Sequence, residues 1–209
     1  MLNIKHLKII ILGSSKVGKT SILQRYFNNE FSEEVISTIG VEHQTKYFKF
    51  DDDKIRIDYI DTAGQERHKS IASNYLKKAD GVILVFDITK RETFELVNHW
   101  IKEIKANKNM NNIGLILLGN KIDLINQRNV ESDEGEKLAS NINCKYIEVS
   151  AKTGSNITEA LEEIAKETYK KYKFYGNDNM SFNLENKSLK PGINNKEEKS
   201  KLRRCCRDI

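Results

Sequence analysis

Four short apolar runs recur along the chain: "LKIIIL" (Leu7 to Leu12), "GVILVF" (Gly81 to Phe86), "GLILLG" (Gly114 to Gly119) and "KYIEVS" (Lys145 to Ser150). The central ones are continuous rather than alternating, the pattern of parallel strands covered on both faces. Helical spacing lies between and after them, at Thr20 to Phe27, Thr93 to Lys105, Ser132 to Ser140 and Ile157 to Tyr172. In the last of these, Ile157, Leu161, Ile164 and Thr168 fall on one face. Such alternation predicts a doubly wound α/β sheet. One pair departs from it: Tyr47 to Phe50 and Ile55 to Ile60 flank the acidic turn Asp51-Asp52-Asp53. That pair predicts an antiparallel hairpin on the edge of a mostly parallel six-stranded sheet with helices on both faces.

At 209 residues the chain has room for one domain of ordinary size and a tail. The domain is expected over residues 1–175. Beyond it, residues 176–209 turn Asn-, Lys- and Ser-rich and contain the one proline, Pro191, so a flexible tail is expected. The net charge of +5 is dispersed among acidic residues, which makes nucleic acid an unexpected partner. No apolar run approaches the roughly eighteen residues that cross a bilayer, and the N-terminus lacks a signal-peptide core and cleavage site. A cytosolic chain is therefore expected. Cys144, beside an apolar run, reads as a small core residue, and no disulfide framework is expected.

Chemistry concentrates where strands end. Gly13-Ser14-Ser15-Lys16-Val17-Gly18-Lys19-Thr20 fits G-x-x-x-x-G-K-[ST], after a strand and at the start of a helix. Gly13 and Gly18 let the backbone curl so that N–H groups face phosphate, and the helix N-terminus adds attraction. The stretch Ser15 to Ser21 would thus line the phosphates, with Lys19 on the terminal ones and the Thr20 hydroxyl on Mg²⁺. Lys16 is open to two readings: a solvated lysine, alone or paired with Glu33 or Glu34, or a second cation close enough to act on the phosphates.

The third run leads into Asn120-Lys121-Ile122-Asp123. A guanine presents N1–H and an exocyclic amine side by side, so the Asp123 carboxylate can accept from both, which adenine cannot match. Asn120 can contact N7 and tie loops together, and Lys121 can lay its stem along the base. Ser150-Ala151-Lys152, after the fourth run, can offer a backbone N–H to O6. Asp61-Thr62-Ala63-Gly64-Gln65 ends the hairpin's second strand. There Asp61 can hold Mg²⁺ through water, Gly64 can donate to a γ-phosphate, and Gln65 can orient an attacking water.

Together these residues, in unbroken order from about Leu7 to Tyr172, resemble the Ras superfamily of small GTPases and its P-loop fold. "STIGVE" (Ser37 to Glu42) and "DTAGQER" (Asp61 to Arg67) resemble its Rab branch, the switches of membrane traffic. The resemblance implies that Thr38 ligates Mg²⁺ and senses the γ-phosphate, that Phe31 packs against the base, and that two segments, about 31–43 and 64–75, order around GTP. Positions matching the branch's effector-binding aromatics hold His43, Ile60 and Tyr75. Strand phase puts Ile60 on the face of Arg56 and Asp58, either as a surface residue or as a half-buried strand end. Lys16 stands where the family has a small residue.

The chain ends "KSKLRRCCRDI", and Cys205-Cys206 resemble the double-prenylation ends of Rab proteins. Two lipids would anchor stably, helped by attraction of Lys199, Lys201, Arg203 and Arg204 to an anionic cytosolic leaflet. The resemblance implies a slow GTPase with GTP or GDP and Mg²⁺ bound, monomeric and cycling between cytosol and the cytoplasmic face of an internal or plasma membrane. Its implied partners are an exchange factor, a GTPase-activating protein, effectors, a Rab escort protein and a GDP dissociation inhibitor. The rival expectations are a GTP-bound scaffold that scarcely cycles and a P-loop nucleotide kinase.

Overall fold

In the computed structural model, residues 4–33, 42–61 and 69–185 are described, with side chains throughout except at 69–73 and 176–185. The chain divides into one unit of Met1–Gly176 and a second of Asn177–Ile209. Strands and helices alternate: β1 (Lys5–Gly13), α1 (Lys19–Asn28), β2 (Glu42–Phe50), β3 (Asp53–Asp61), α2 (Lys69–Lys78) and β4 (Gly81–Asp87) come first. They are followed by α3 (Arg91–Glu95), α4 (Val97–Asn107), β5 (Gly114–Asn120), a 3₁₀ turn (Ile122–Gln127), α5 (Ser132–Asn141), β6 (Lys145–Val149) and α6 (Ile157–Glu185).

The six strands form one sheet in the order β2-β3-β1-β4-β5-β6. Only β2 and β3 pair antiparallel, as the acidic turn predicts. The parallel register sets Ile11 beside Asp61, Gly13 beside Val85, and Asn120 between Asp87 and Val149. Their carboxyl ends therefore share one rim, the place where open α/β sheets bind ligands.

Successive strand residues point to opposite faces, and both faces are covered. On one side Ile9, Ile11, Ile57, Tyr59, Ile83 and Val85 pack with Ile22 of α1 and with Ile157, Leu161 and Ile164 of α6. On the other, Ile10, Leu12, Val82, Leu84 and Phe86 pack with Leu76 of α2 and with Val97, Trp100 and Ile104 of α4. This double burial is why the central runs are apolar without a break.

Three local differences from expectation are physical. The helix expected over Thr93 to Lys105 is two pieces meeting at Leu96. That residue keeps right-handed helical angles, and its N–H donates to Glu92 O at 3.1 Å, so the two pieces run on without a break in the helical bonding. The last helix continues beyond Tyr172 to Glu185. Ile60 is buried, 3% exposed, in the second cluster with Leu76. Strand phase correctly gave its face but not what covers it: α2 lies over this end of β3, so the surface reading of Ile60 is corrected. Cys144 is half-buried against the same cluster, and burial pushes its thiol up to about 12.

At the β6 edge, Arg128 grips Glu148 with two bonds of 2.7 and 2.8 Å, and the Tyr146 hydroxyl donates to the same carboxylate at 2.9 Å. Burial pushes the Glu148 carboxyl up, but Arg128 and Tyr146 outweigh it and leave it below its ordinary value. Its stabilising effect is therefore present above the unfolded value of about 4.5 and is lost as pH falls through the lower folded value. Glu148→Gln should cost about 1–2 kcal/mol at pH 7 by denaturant unfolding, and the gap to wild type should close as pH falls below the folded value. A gap independent of pH would show that packing, not charge, holds this edge.

Candidate nucleotide site

The loop after β1 is held from several directions. Val17 turns its side chain into the core, and its carbonyl accepts a 2.8 Å bond from Asn120 Nδ2. Gly18 has φ +96°, and a Cβ there would stand 2.3 Å from that same amide nitrogen, so only glycine allows the approach. The Lys19 ammonium folds back on the loop, donating to Gly13 O at 2.8 Å and Ser14 O at 2.9 Å. Lys16 takes left-handed angles (φ 65°) with its side chain exposed. That conformation costs a lysine about 1 kcal/mol relative to glycine.

Helix α1 begins at Lys19 with Gly18 as its cap, so its first-turn N–H groups have no acceptor within the helix. Those donors and the helix dipole make the loop an anion cradle. Ser15 is exposed at its lip, and Ser21 is half-buried in the first helical turn. Beside it, the Thr20 hydroxyl donates to Asp61 Oδ2 at 2.6 Å, and Asp61 is 1% exposed. A hydroxyl and a carboxylate thus converge from α1 and β3 at the mouth of the cradle.

The neighbouring loops form a second, connected half. Asn120 also accepts from Ala151 N–H at 3.2 Å, so one buried amide bridges the phosphate loop and the loop after β6. Of the Ser150-Ala151-Lys152 stretch expected to offer a backbone N–H to O6, the Ala151 N–H is engaged in that bridge. Ser150 Oγ donates to Asp123 Oδ1 at 2.6 Å and accepts from Thr153 N–H at 3.1 Å, which holds the Asp123 carboxylate in place. Lys121, at φ 74°, sets its ammonium 2.6 Å from Asp87 Oδ2. Asp87 is fully buried, and its Oδ1 accepts from the backbone N–H and hydroxyl of Thr89. A buried carboxylate needs such partners, and the Lys121 ammonium is one of them.

Two residues that sequence reasoning passed over position this half. Arg25 of α1 donates to Ala151 O at 2.9 Å and Lys152 O at 2.8 Å, and ties Asn29 to the same guanidinium. Asp87 is the other. Its signal was readable, since an acidic residue closes the apolar run "GVILVF"; Arg25 gave none beyond a basic residue in a helix's last turn.

Other expectations sort as follows. Glu33 pairs with Lys152 at 2.7 Å, not with Lys16. Phe31 is half-buried against the first core cluster. His43 is exposed and sits opposite Ile60 across the hairpin, while Tyr75 is half-buried beside the second cluster, so the three do not form one exposed patch. Thr38, Gly64, Gln65, Cys205 and Cys206 lie outside the described residues.

A phosphate-type loop joined through one buried amide to the loops after β5 and β6 is the arrangement of a P-loop nucleotide-binding protein. A sequence model of the Ras family matches residues 8–170. The chain is 40% identical over 163 residues to GTP-binding protein ypt3 of Schizosaccharomyces pombe, across 78% of this chain and 76% of that one. It is 40% identical over 162 residues to Ras-related protein Rab11A of Lotus japonicus, across 78% and 71%. With Ras-related protein Rab-1 of Theileria annulata it shares 42% over 160 residues, across 76% and 72%. The chain belongs to the Ras family, in its Rab branch.

If Arg25 holds the base-side loop in place, Arg25→Ala should speed release of a fluorescent GDP analogue roughly five- to tenfold, about 1–1.4 kcal/mol, with little change in melting temperature. An unchanged release rate would remove Arg25 from the site.

Proposed function

We propose that this chain is a GTP-hydrolysing Rab-type switch in vesicle traffic, with GTP and GDP bound between the Gly13–Thr20 loop and the Asn120–Asp123 loop. The observation that carries the reading is the Asn120 bridge, which makes phosphate and base subsites one rigid unit.

The parts are divided among the residues named above. Backbone N–H groups from Ser15 to Ser21 receive the phosphates, and Lys19 exchanges a carbonyl for a phosphate oxygen when the nucleotide enters. Asp123, held by Ser150, accepts from the guanine edge, and Asn120 keeps the two loops in register. The Thr20 hydroxyl, 2.6 Å from Asp61 Oδ2, would ligate Mg²⁺, with Thr38 as a further ligand and Asp61 holding the ion through water. When bound, Mg²⁺ supplies positive charge to the phosphate oxygens. Gln65 positions the water that attacks the γ-phosphorus in line, giving GDP and inorganic phosphate, and Thr38 and Gly64 contribute to the γ-phosphate pocket.

The family resemblance supplies the rest of the cycle. An exchange factor loads GTP, effectors read the GTP form, and a GTPase-activating protein ends it. The Cys205-Cys206 pair takes prenyl groups with the help of an escort protein, and a dissociation inhibitor extracts the GDP form from an anionic cytosolic membrane surface. Among the described residues no helix is long and apolar enough to cross a membrane, in keeping with attachment by lipid.

Single-turnover hydrolysis of preloaded GTP with Mg²⁺ tests the catalytic assignment. Wild type should turn over on the order of 10⁻⁴ per second. Gln65→Leu should be at least tenfold slower with GTP affinity retained. Equal rates would take the water-positioning role from Gln65.

A further inference from the structure

Lys16 is not accounted for by the site as described. Its backbone is held on both flanks: Lys19 donates to the carbonyls of Gly13 and Ser14 on one side, and Asn120 to that of Val17 on the other. Residue 16 is therefore kept in the left-handed region, where glycine or asparagine is at ease and a lysine is not. Such an outlier invites a functional reading for the side chain.

The electrostatics point to what that role is. From Gly13 to Thr20 the loop carries two ammonium groups and no carboxylate. Lys19 turns inward and is 4% exposed, whereas Lys16 is exposed, and among the described residues it makes no hydrogen bond or ion pair. Glu33, the nearest candidate in sequence, is taken by Lys152. A second cation on the lip of an anion cradle, beside the N-terminus of α1, finds its counter-charge in whatever polyanion the cradle holds.

We propose that the Lys16 side chain closes over the phosphates of the bound nucleotide and retains it, as a second, solvent-facing cation beside Lys19. The proposal rests on the guanine-nucleotide reading above. Because the contact is charged and exposed, it is screened by salt; because a long flexible side chain makes it, it slows release without being needed for folding.

The test is release of a fluorescent GDP analogue from the full chain, at low and high ionic strength, for wild type, Lys16→Asn and Lys16→Arg. Asparagine tolerates the left-handed backbone and removes the charge; arginine keeps the charge. Lys16→Asn should release GDP three- to tenfold faster than wild type at about 0.01 M salt, the difference falling below twofold at about 1 M. Lys16→Arg should restore slow release. The proposal is overturned if Lys16→Asn releases at the wild-type rate in low salt. It also fails if the acceleration is the same at both salt concentrations, or if Lys16→Arg behaves like Lys16→Asn, since loop shape would then be the cause. Thermal unfolding of each variant with and without GDP separates loss of fold from loss of retention. A wild-type chain that retains no guanine nucleotide overturns the underlying reading itself, a result distinct from all of these.

Discussion

One side-chain amide joins the parts of this site. Asn120 donates to Val17 O, accepts from Ala151 N–H, and is itself 1% exposed at the end of β5. Both of its polar atoms are used inside the protein, so replacing it leaves a buried carbonyl and a buried N–H without partners, at about 1–3 kcal/mol each. The same contact explains why residue 18 must be glycine: the amide occupies the space a Cβ would fill. The phosphate loop, the guanine loop and the loop after β6 thus have one shared geometry rather than three.

That geometry is available because the sheet brings five parallel strand ends to one rim and buries both its faces. Three carboxylates at the rim are each provided with partners. Asp61 accepts from Thr20, Asp87 from Thr89 with Lys121 against it, and Asp123 from Ser150. Oriented donors and acceptors of this kind cost little to reorganise when a charged ligand enters, which is how a small protein holds a polyphosphate tightly.

Much of this was readable from residues alone because it depends on local chemistry. Continuous apolar runs marked strands buried on both faces, the Asp51-Asp52-Asp53 turn marked the antiparallel hairpin, and each site motif followed a strand, as the rim requires. What escaped depends on which element lies over which. Alternation assigned Ile60 a face but could not show that α2 covers it. Glu33 is one of two carboxylates that the sequence offers Lys16, whereas the fold brings Lys152 to it. Arg25 reaches the Ser150–Lys152 loop from far away in the chain, and the bond from Ala151 N–H to Asn120 joins two separate strands' ends; spacing encodes neither.

The central claim is that the Asn120–Asp123 loop, fixed by Ser150 and Ala151, makes this a site for guanine. Its most direct test is equilibrium binding of GDP against ADP to the purified chain with Mg²⁺ present. A site that hydrogen-bonds the guanine edge with a carboxylate rejects adenine, and GDP should bind about 10⁴-fold more tightly. Affinities for the two nucleotides within tenfold of one another would contradict the account, leaving a phosphate loop without a base-selecting partner.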